Sequence, residues 1–203
     1  MEQRVKPMGR GYQTNCYILI RDNKSLIIDP GIGAVEWVVE NAPNPVAILN
    51  THGHFDHVWS NPKLQEVLRV PLFIRTEDAP MLQMDPFELN MPFSTPDVQV
   101  ADEAFIELGG FSFRFVHMPG HTPGCSMIEL EDRIFTGDFL FRGTIGRTDF
   151  LGSDPAAMVR SLERFMAEYN DDRPLFPGHG PATDVAEARR FIPEYIAMLK
   201  REF

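Results

Sequence analysis

The heptapeptide THGHFDH, residues 51–57, places three histidines and an aspartate within six positions, directly after the apolar run Val46-Ala-Ile-Leu49. The whole chain has six histidines, so half of them stand at one point where an apolar, strand-like run stops. Metal ions need imidazole and carboxylate donors on backbone that holds still, which the end of a buried strand supplies and an exposed loop does not. His52 and His54 are two apart, so an extended segment points both to one side, and Gly53 lets the chain bend between them. Asp56 and His57 follow from the first turn of a helix. A lone histidine is more often a core or surface residue than a ligand; four donors converging on one volume predict a metal site.

One stretch cannot complete two metal sites, so further donors are expected at other strand ends. His121 stands in MPGHTPG, Asp138 directly follows the strand RIFTG, and His179 lies in PGHGP, each just beyond an apolar run and bracketed by Gly or Pro. His117, four residues before His121, ends a strand and reads as a hydrogen-bonded supporting histidine rather than a ligand. Cys125 reads as core, because Asp138 already supplies the remaining donor.

The rest of the chain frames these donors. Strands are expected at Thr14 to Ile20, Ser25 to Ile28, Val46 to Leu49, Leu72 to Ile74, Phe111 to Val116, Cys125 to Leu130, Arg133 to Thr136 and Pro174 to Phe176. Helices are expected near 34–41, over 56–69 with Asp56 as N-cap, over 154–169 capped by Ser153 or Asp154, and over 184–200. Two strand-rich halves with outer helices predict one α/β domain over 1–203, an α/β/β/α sandwich of two packed sheets. Between the halves, Met84 to Val100 is rich in Pro, Phe and Met, a packed surface loop long enough to cover a pocket.

Composition excludes several functions. A formal net charge of −10 without a Lys/Arg run argues against nucleic acid and anionic membranes as partners. No apolar stretch reaches the length of a membrane helix, and the first twenty residues lack a secretory pattern. Two distant cysteines exclude a disulfide framework, and the expected compartment is the cytoplasm.

The pattern HxHxDH followed by His121, Asp138 and His179 resembles the metallo-β-lactamase superfamily, in the right order over nearly the whole chain. The resemblance implies an αβ/βα sandwich and two divalent metal ions, with zinc foremost and iron or manganese also suited to the donor set. It assigns His52, His54 and His121 to one metal, Asp56, His57 and His179 to the other, and Asp138 to both. Asp56 and Asp138 are then the catalytic carboxylates. Paired cations generate hydroxide near neutral pH and polarise a carbonyl, so hydrolysis is the expected reaction class.

THGHFDH, PGHTPG, GDFLFRGTIGRTDF and PGHGPAT are similar to the short bacterial relatives of glyoxalase II, the hydroxyacylglutathione hydrolases. That resemblance implies a thioesterase acting on S-lactoylglutathione or a related acyl thioester, and it places Arg147 where the family has a basic residue contacting glutathione. Arg147 alternatively braces its loop by pairing with Asp149, and Arg142 is a second candidate cation for an anionic substrate. Full-length glyoxalase II has tyrosines where this chain has Asp149 and Pro181, and ends in a helical domain whose basic residues grip glutathione. This chain is expected to carry one terminal helix there. The stretch RGTIGRTDF is also similar to persulfide dioxygenases, mononuclear iron enzymes that would use His52, His121 and Asp138. A lactonase or other ester hydrolase of this fold, and a metal-binding module without catalysis, are the remaining readings.

Overall fold

A computed structural model describes residues 1–201. The first half forms β1 (Glu2–Met8), β2 (Thr14–Arg21), β3 (Lys24–Ile28), α1 (Val35–Asn41), β4 (Pro45–Leu49), α2 (Phe55–Val58), α3 (Asn61–Leu68), β5 (Leu72–Arg75) and β6 (Val98–Val100). Its six strands lie side by side in chain order, antiparallel from β1 to β3 and parallel from β3 to β6. The second half adds β7 (Ile106–Leu108), β8 (Phe111–His117), β9 (Ser126–Leu130), β10 (Arg133–Gly137), β11 (Leu140–Phe141), β12 (Thr144–Ile145), α4 (Pro155–Glu168), β13 (Pro174–Pro177), β14 (Thr183–Asp184) and α5 (Val185–Leu199). Its main sheet runs β14-β13-β10-β9-β8-β7, and β11 and β12 make a separate short hairpin.

Side-chain alternation explains the layering. Leu19, Ile28 and Leu49 point to the inner face, where Phe111, Phe113, Phe115 and Phe135 of the second sheet meet them. Their neighbours Ile18, Ile27 and Ile48 point outward and are covered by Val38 of α1 and Leu64 of α3. On the far side, Met127 and Ile134 are covered by Leu162 and Phe165 of α4 and Ile192 of α5. Strands covered on both faces read as continuous apolar runs, which is why NCYILI and SLIID lack a polar alternation. The result is the expected αβ/βα sandwich.

Three local expectations are corrected. Residues 56–69 do not form one helix: Pro62 follows Asn61 at the start of a new helix, and the chain breaks at Trp59-Ser60. Asp56 is not the N-cap; His54 holds that position without a side-chain cap, and the Asp56 carboxylate turns instead to accept a hydrogen bond from Thr14 Oγ1 at 2.7 Å. Gly53 has no positive φ, so its smallness serves close approach rather than a special bend; a Cβ there would lie 2.6 Å from Met81 Cβ. Asp154 is the α4 N-cap as expected, accepting from Ala157 N. Strands β1, β6, β7 and β14 and the β11–β12 hairpin fall outside the expected set, and β6 takes the last three residues of the 84–100 segment expected to be loop, pairing them with β5. β1 is an exposed edge strand with no apolar periodicity, and the hairpin has only two residues per strand.

Candidate metal centre

Strand ends from both sheets deliver the seven donor residues to one place. β4 delivers His52 and His54, the short α2 carries Asp56 and His57, and the turn after β8 carries His121. Asp138 directly follows β10, and His179 lies between β13 and β14. The loops are tied across the sheets, where Ser126 N donates to Thr51 O and Asn15 N to Gly178 O, and within the second sheet, where Gly178 N donates to Gly137 O. The Asn15 side chain donates to the carbonyls of Pro177 and Gly180, so β2 of the first sheet clamps the PGHGP loop of the second.

The donor atoms form three close groups: His52 with His54 and His121, His52 with His57 and Asp138, and Asp56 with His57 and His179. His54 Nδ1 is 2.9 Å from His121 Nε2, and His57 Nε2 is 3.3 Å from His179 Nε2. Asp138 lies between them, with Oδ2 3.5 Å from His121 Nε2 and 3.4 Å from His179 Nε2, and Oδ1 3.3 Å from His57 Nε2. Nitrogen donors at ~2.0–2.1 Å around one tetrahedral cation sit roughly 3.3 Å apart, so these spacings match donors that share an ion. The buried Nε2 of His52 and Oδ1 of Asp138 have no hydrogen-bond partner, as expected of atoms kept for a cation.

The outer faces of the imidazoles are fixed. His57 Nδ1 donates to Asp29 Oδ2 at 3.0 Å, His121 Nδ1 to Arg147 O at 2.8 Å, and His179 Nδ1 to Tyr12 O at 2.9 Å. Thr51 Oγ1 donates to Asp29 Oδ2 at 2.6 Å, which leaves it accepting from His52 Nδ1 at 3.1 Å. A hydrogen at Nδ1 puts the lone pair on Nε2, facing the centre. Asp29 thus orients two histidines, one directly and one through Thr51. Asp78 plays the matching part for the surrounding loops, accepting from Gly53 N, Thr122 Oγ1 and Gly124 N. Sequence reading missed both; the available signal was an Asp directly after a buried strand in IIDPG and a helix-start Asp in TEDAP.

Without metal, the histidines of the cluster are shifted in opposite directions. Burial and the neighbouring imidazoles push His54 down to about 3 and His52 well below the ordinary histidine value. Burial also opposes charge on His57, but the carboxylates of Asp56 and Asp138 outweigh it and raise its pKa well above normal. Burial likewise opposes charge on His179, but hydrogen bonds to Asp138 and Asp56 raise it to about 9. A site that stabilises imidazolium beside carboxylates offers the same negative field to a cation.

The centre opens into a cleft of about 460 Å³ whose walls include Tyr12, Phe55, Phe141, Arg147 and Phe150. The Arg147 guanidinium donates to both Asp149 oxygens, at 2.6 and 2.7 Å, and lies 3.7 Å from the Phe150 ring centroid. Arg142 is exposed and pairs with Glu187 on α5. His117 belongs to none of the three donor groups, and its Nε2 donates to Pro123 O at 2.7 Å. Cys125 is fully buried against α4 and α5.

Two six-stranded sheets sandwiched by helices, with a His/Asp cluster at the strand ends, define a metallo-hydrolase architecture, and residues 9–187 match the metallo-beta-lactamase superfamily. The chain belongs to that superfamily. It is 34% identical over 197 residues to the hydroxyacylglutathione hydrolase GloC of Haemophilus influenzae, covering 90% of this chain and 92% of that one. Among solved structures it resembles the BLEG-1 B3 metallo-beta-lactamase, at TM-score 0.85 and 30% identity over 96% of this chain and 99% of the other. It also resembles ETHE1 from Myxococcus xanthus, at TM-score 0.81 and 25% identity over 98% and 90% of the two chains. No described helix is long and apolar enough to cross a membrane.

Proposed function

We propose that the chain is a dinuclear metal-dependent thioesterase of glyoxalase II type, cleaving S-lactoylglutathione or a related acyl thioester in the cytoplasm. His52, His54 and His121 would hold one divalent ion, Asp56, His57 and His179 the other, and Asp138 both. The observation that carries this reading is the position of Asp138, whose one carboxylate stands within 3.5 Å of His121, His179 and His57. Bound divalent ions, zinc foremost with iron or manganese also suited, would supply an acidified water and an electrophile for the scissile carbonyl.

The chain's own residues orient and shield. Asp29, Thr51, Tyr12 and the Arg147 carbonyl fix the imidazole rings, and Asp56 is held in place by Thr14. Phe55, Phe141 and Phe150 limit water in the cleft. Arg147 is the cation nearest the opening and would meet an anionic thiol carrier, a role for which it must share its charge with Asp149. The full-length likeness to a hydroxyacylglutathione hydrolase supports thioester as the substrate class.

The stretch RGTIGRTDF raises a second reading, a mononuclear iron oxygenase acting on a persulfide. That reading leaves Asp56, His57 and the half-buried His179 a close donor group without a task. The test is a panel of S-lactoylglutathione, glutathione persulfide with oxygen measurement, a lactone and a β-lactam, presented to the metal-loaded protein. Hydrolysis of the thioester supports the proposal, and oxygen uptake with persulfide alone contradicts it.

A further inference from the structure

Beside the metal centre lies a second cavity, of about 240 Å³, formed between the segment 77–91 and the loop 150–152. The two spaces share His54, Phe55, Phe87 and Phe150 in their walls, so they are neighbours separated by side chains rather than by backbone layers. The partition is aromatic: Phe55 and Phe87 meet edge to face with ring centroids 5.7 Å apart, and Phe87 and Phe150 at 6.1 Å.

The cavity has the chemistry of a hydrocarbon site. Its lining includes Met81, Met84, Met91 and Leu151 and, among the described residues, no lysine or arginine. Two carboxylates reach it, and both are engaged elsewhere. Glu77 accepts two hydrogen bonds from Arg75, and Asp85 accepts from the backbone N–H groups of Leu89, Asn90 and Met91. The rim nevertheless exposes apolar surface that single scattered residues would not need: Met84 is 46%, Phe87 45% and Leu151 71% exposed. Flexible methionines and aromatic rings around a concave apolar space are what an unbranched aliphatic group packs against. A cation lines the neighbouring cleft instead: Arg147, whose guanidinium stacks on the Phe150 ring of the partition.

We infer that this cavity binds the acyl group of the substrate, and that the preferred substrates are thioesters of medium-length aliphatic acids. The inference rests on the thioesterase reading above and adds an orientation to it. The acyl chain passes the Phe87–Phe150 partition into the methionine-lined cavity, and the thiol carrier lies toward Arg147. Phe87, Met84 and Leu151 are then specificity-determining residues. No chemistry beyond hydrolysis is required: water adds its oxygen to the acyl carbon, the C–S bond breaks, and the thiol leaves carrying a proton.

The test uses the metal-loaded full chain and one neutral thiol, N-acetylcysteamine, esterified with acetate, butyrate and hexanoate. The expected kcat/KM rises at least tenfold from acetyl to hexanoyl. Met84→Trp, which fills the cavity, and Leu151→Glu, which charges its rim, should each lower the hexanoyl-to-acetyl ratio about fivefold or more, given that a buried methylene is worth ~0.8 kcal/mol. Calorimetric titration with uncleavable 2-oxoalkyl thioethers of the same thiol gives a readout independent of turnover, and the longer chain should bind tenfold more tightly.

Equal hydrolysis of all three esters with equal analogue affinities overturns the acyl cavity and leaves the thioesterase reading standing. Failure to hydrolyse any thioester overturns the thioesterase reading, and the analogue affinities then decide the cavity alone. A dimer in sedimentation that persists with the hexyl analogue, with no chain-length dependence of binding, assigns the apolar rim to a second copy of the chain and also overturns the inference.

Discussion

The Asp29 carboxylate, at the end of β3, accepts a hydrogen bond from Nδ1 of the fully buried His57 on α2 at 3.0 Å. The same carboxylate accepts from Thr51 N and Thr51 Oγ1, and Thr51 in turn supports His52. Two parallel neighbouring strands, β3 and β4, therefore end in a coupled set of side chains that aims two imidazoles at one point. Such outer partners usually contribute 10–100-fold to metal affinity. Asp29→Asn should weaken metal retention by about that factor while the fold persists. Competition with a chelator measures it, and wild-type retention would show that Asp29 does not act through His57 and His52.

Gly178 is kept small by the centre itself. A Cβ at that position would lie 2.2 Å from Asp138 Oδ1 and 2.7 Å from His57 Cε1. Gly178→Ala should displace Asp138 or His57 and lower both bound metal and turnover, with secondary structure by circular dichroism unchanged. Full metal content and full activity in that variant would mean that the PGHGP loop yields without disturbing Asp138.

Arg147 is bidentate with Asp149, where glyoxalase II has a tyrosine. Removing the carboxylate frees a charged donor for an anionic carrier. Asp149→Ala should lower KM for S-lactoylglutathione about threefold or more, and Arg147→Ala should raise it, consistent with charge-assisted hydrogen bonds being the stronger kind. Unchanged KM in both variants would remove Arg147 from substrate binding.

Away from the centre, Glu103 accepts two hydrogen bonds from Arg164 at 2.7 Å each and one from His117 N at 2.9 Å. The Arg164 guanidinium holds the Glu103 carboxyl below its ordinary value against the opposing effect of burial. A depressed folded pKa contributes stability that is complete above the unfolded value, about 4.3 for Glu, and is lost as pH falls through the folded value. In the metal-free protein, wild type should exceed Glu103→Gln in unfolding free energy at pH 7 by at most about 1 kcal/mol, because solvent screens the pair. The gap should close below pH ~4. A gap independent of pH would assign the loss to packing instead.

That the seven side chains would be gathered at one place was legible from the density of THGHFDH and, for His121, Asp138 and His179, from a local rule: a polar residue just beyond an apolar run, bracketed by Gly or Pro. The two-sheet layering was legible for the same reason, since the buried strands are dense apolar runs. What stayed hidden depends on contacts between distant segments. Asp29 and Asp78 look like ordinary turn residues until β3, β4 and the 77–83 turn are brought together, and the role of Gly53 is set by Met81 rather than by its own backbone. The break between α2 and α3 carries one local mark, Pro62 at the start of the second helix. The cavity beside the centre draws on residues from 53 to 152, and no local pattern announces it.

In the proposed hydrolase Asp138 joins two metal sites. Metals per chain and S-lactoylglutathione turnover, measured together on wild type and Asp138→Ala, test it most directly. The expected result is two metals and turnover in the wild type, with metal content reduced and turnover abolished in the variant. One metal per wild-type chain, or an Asp138→Ala variant that keeps two metals and near-full activity, would contradict it.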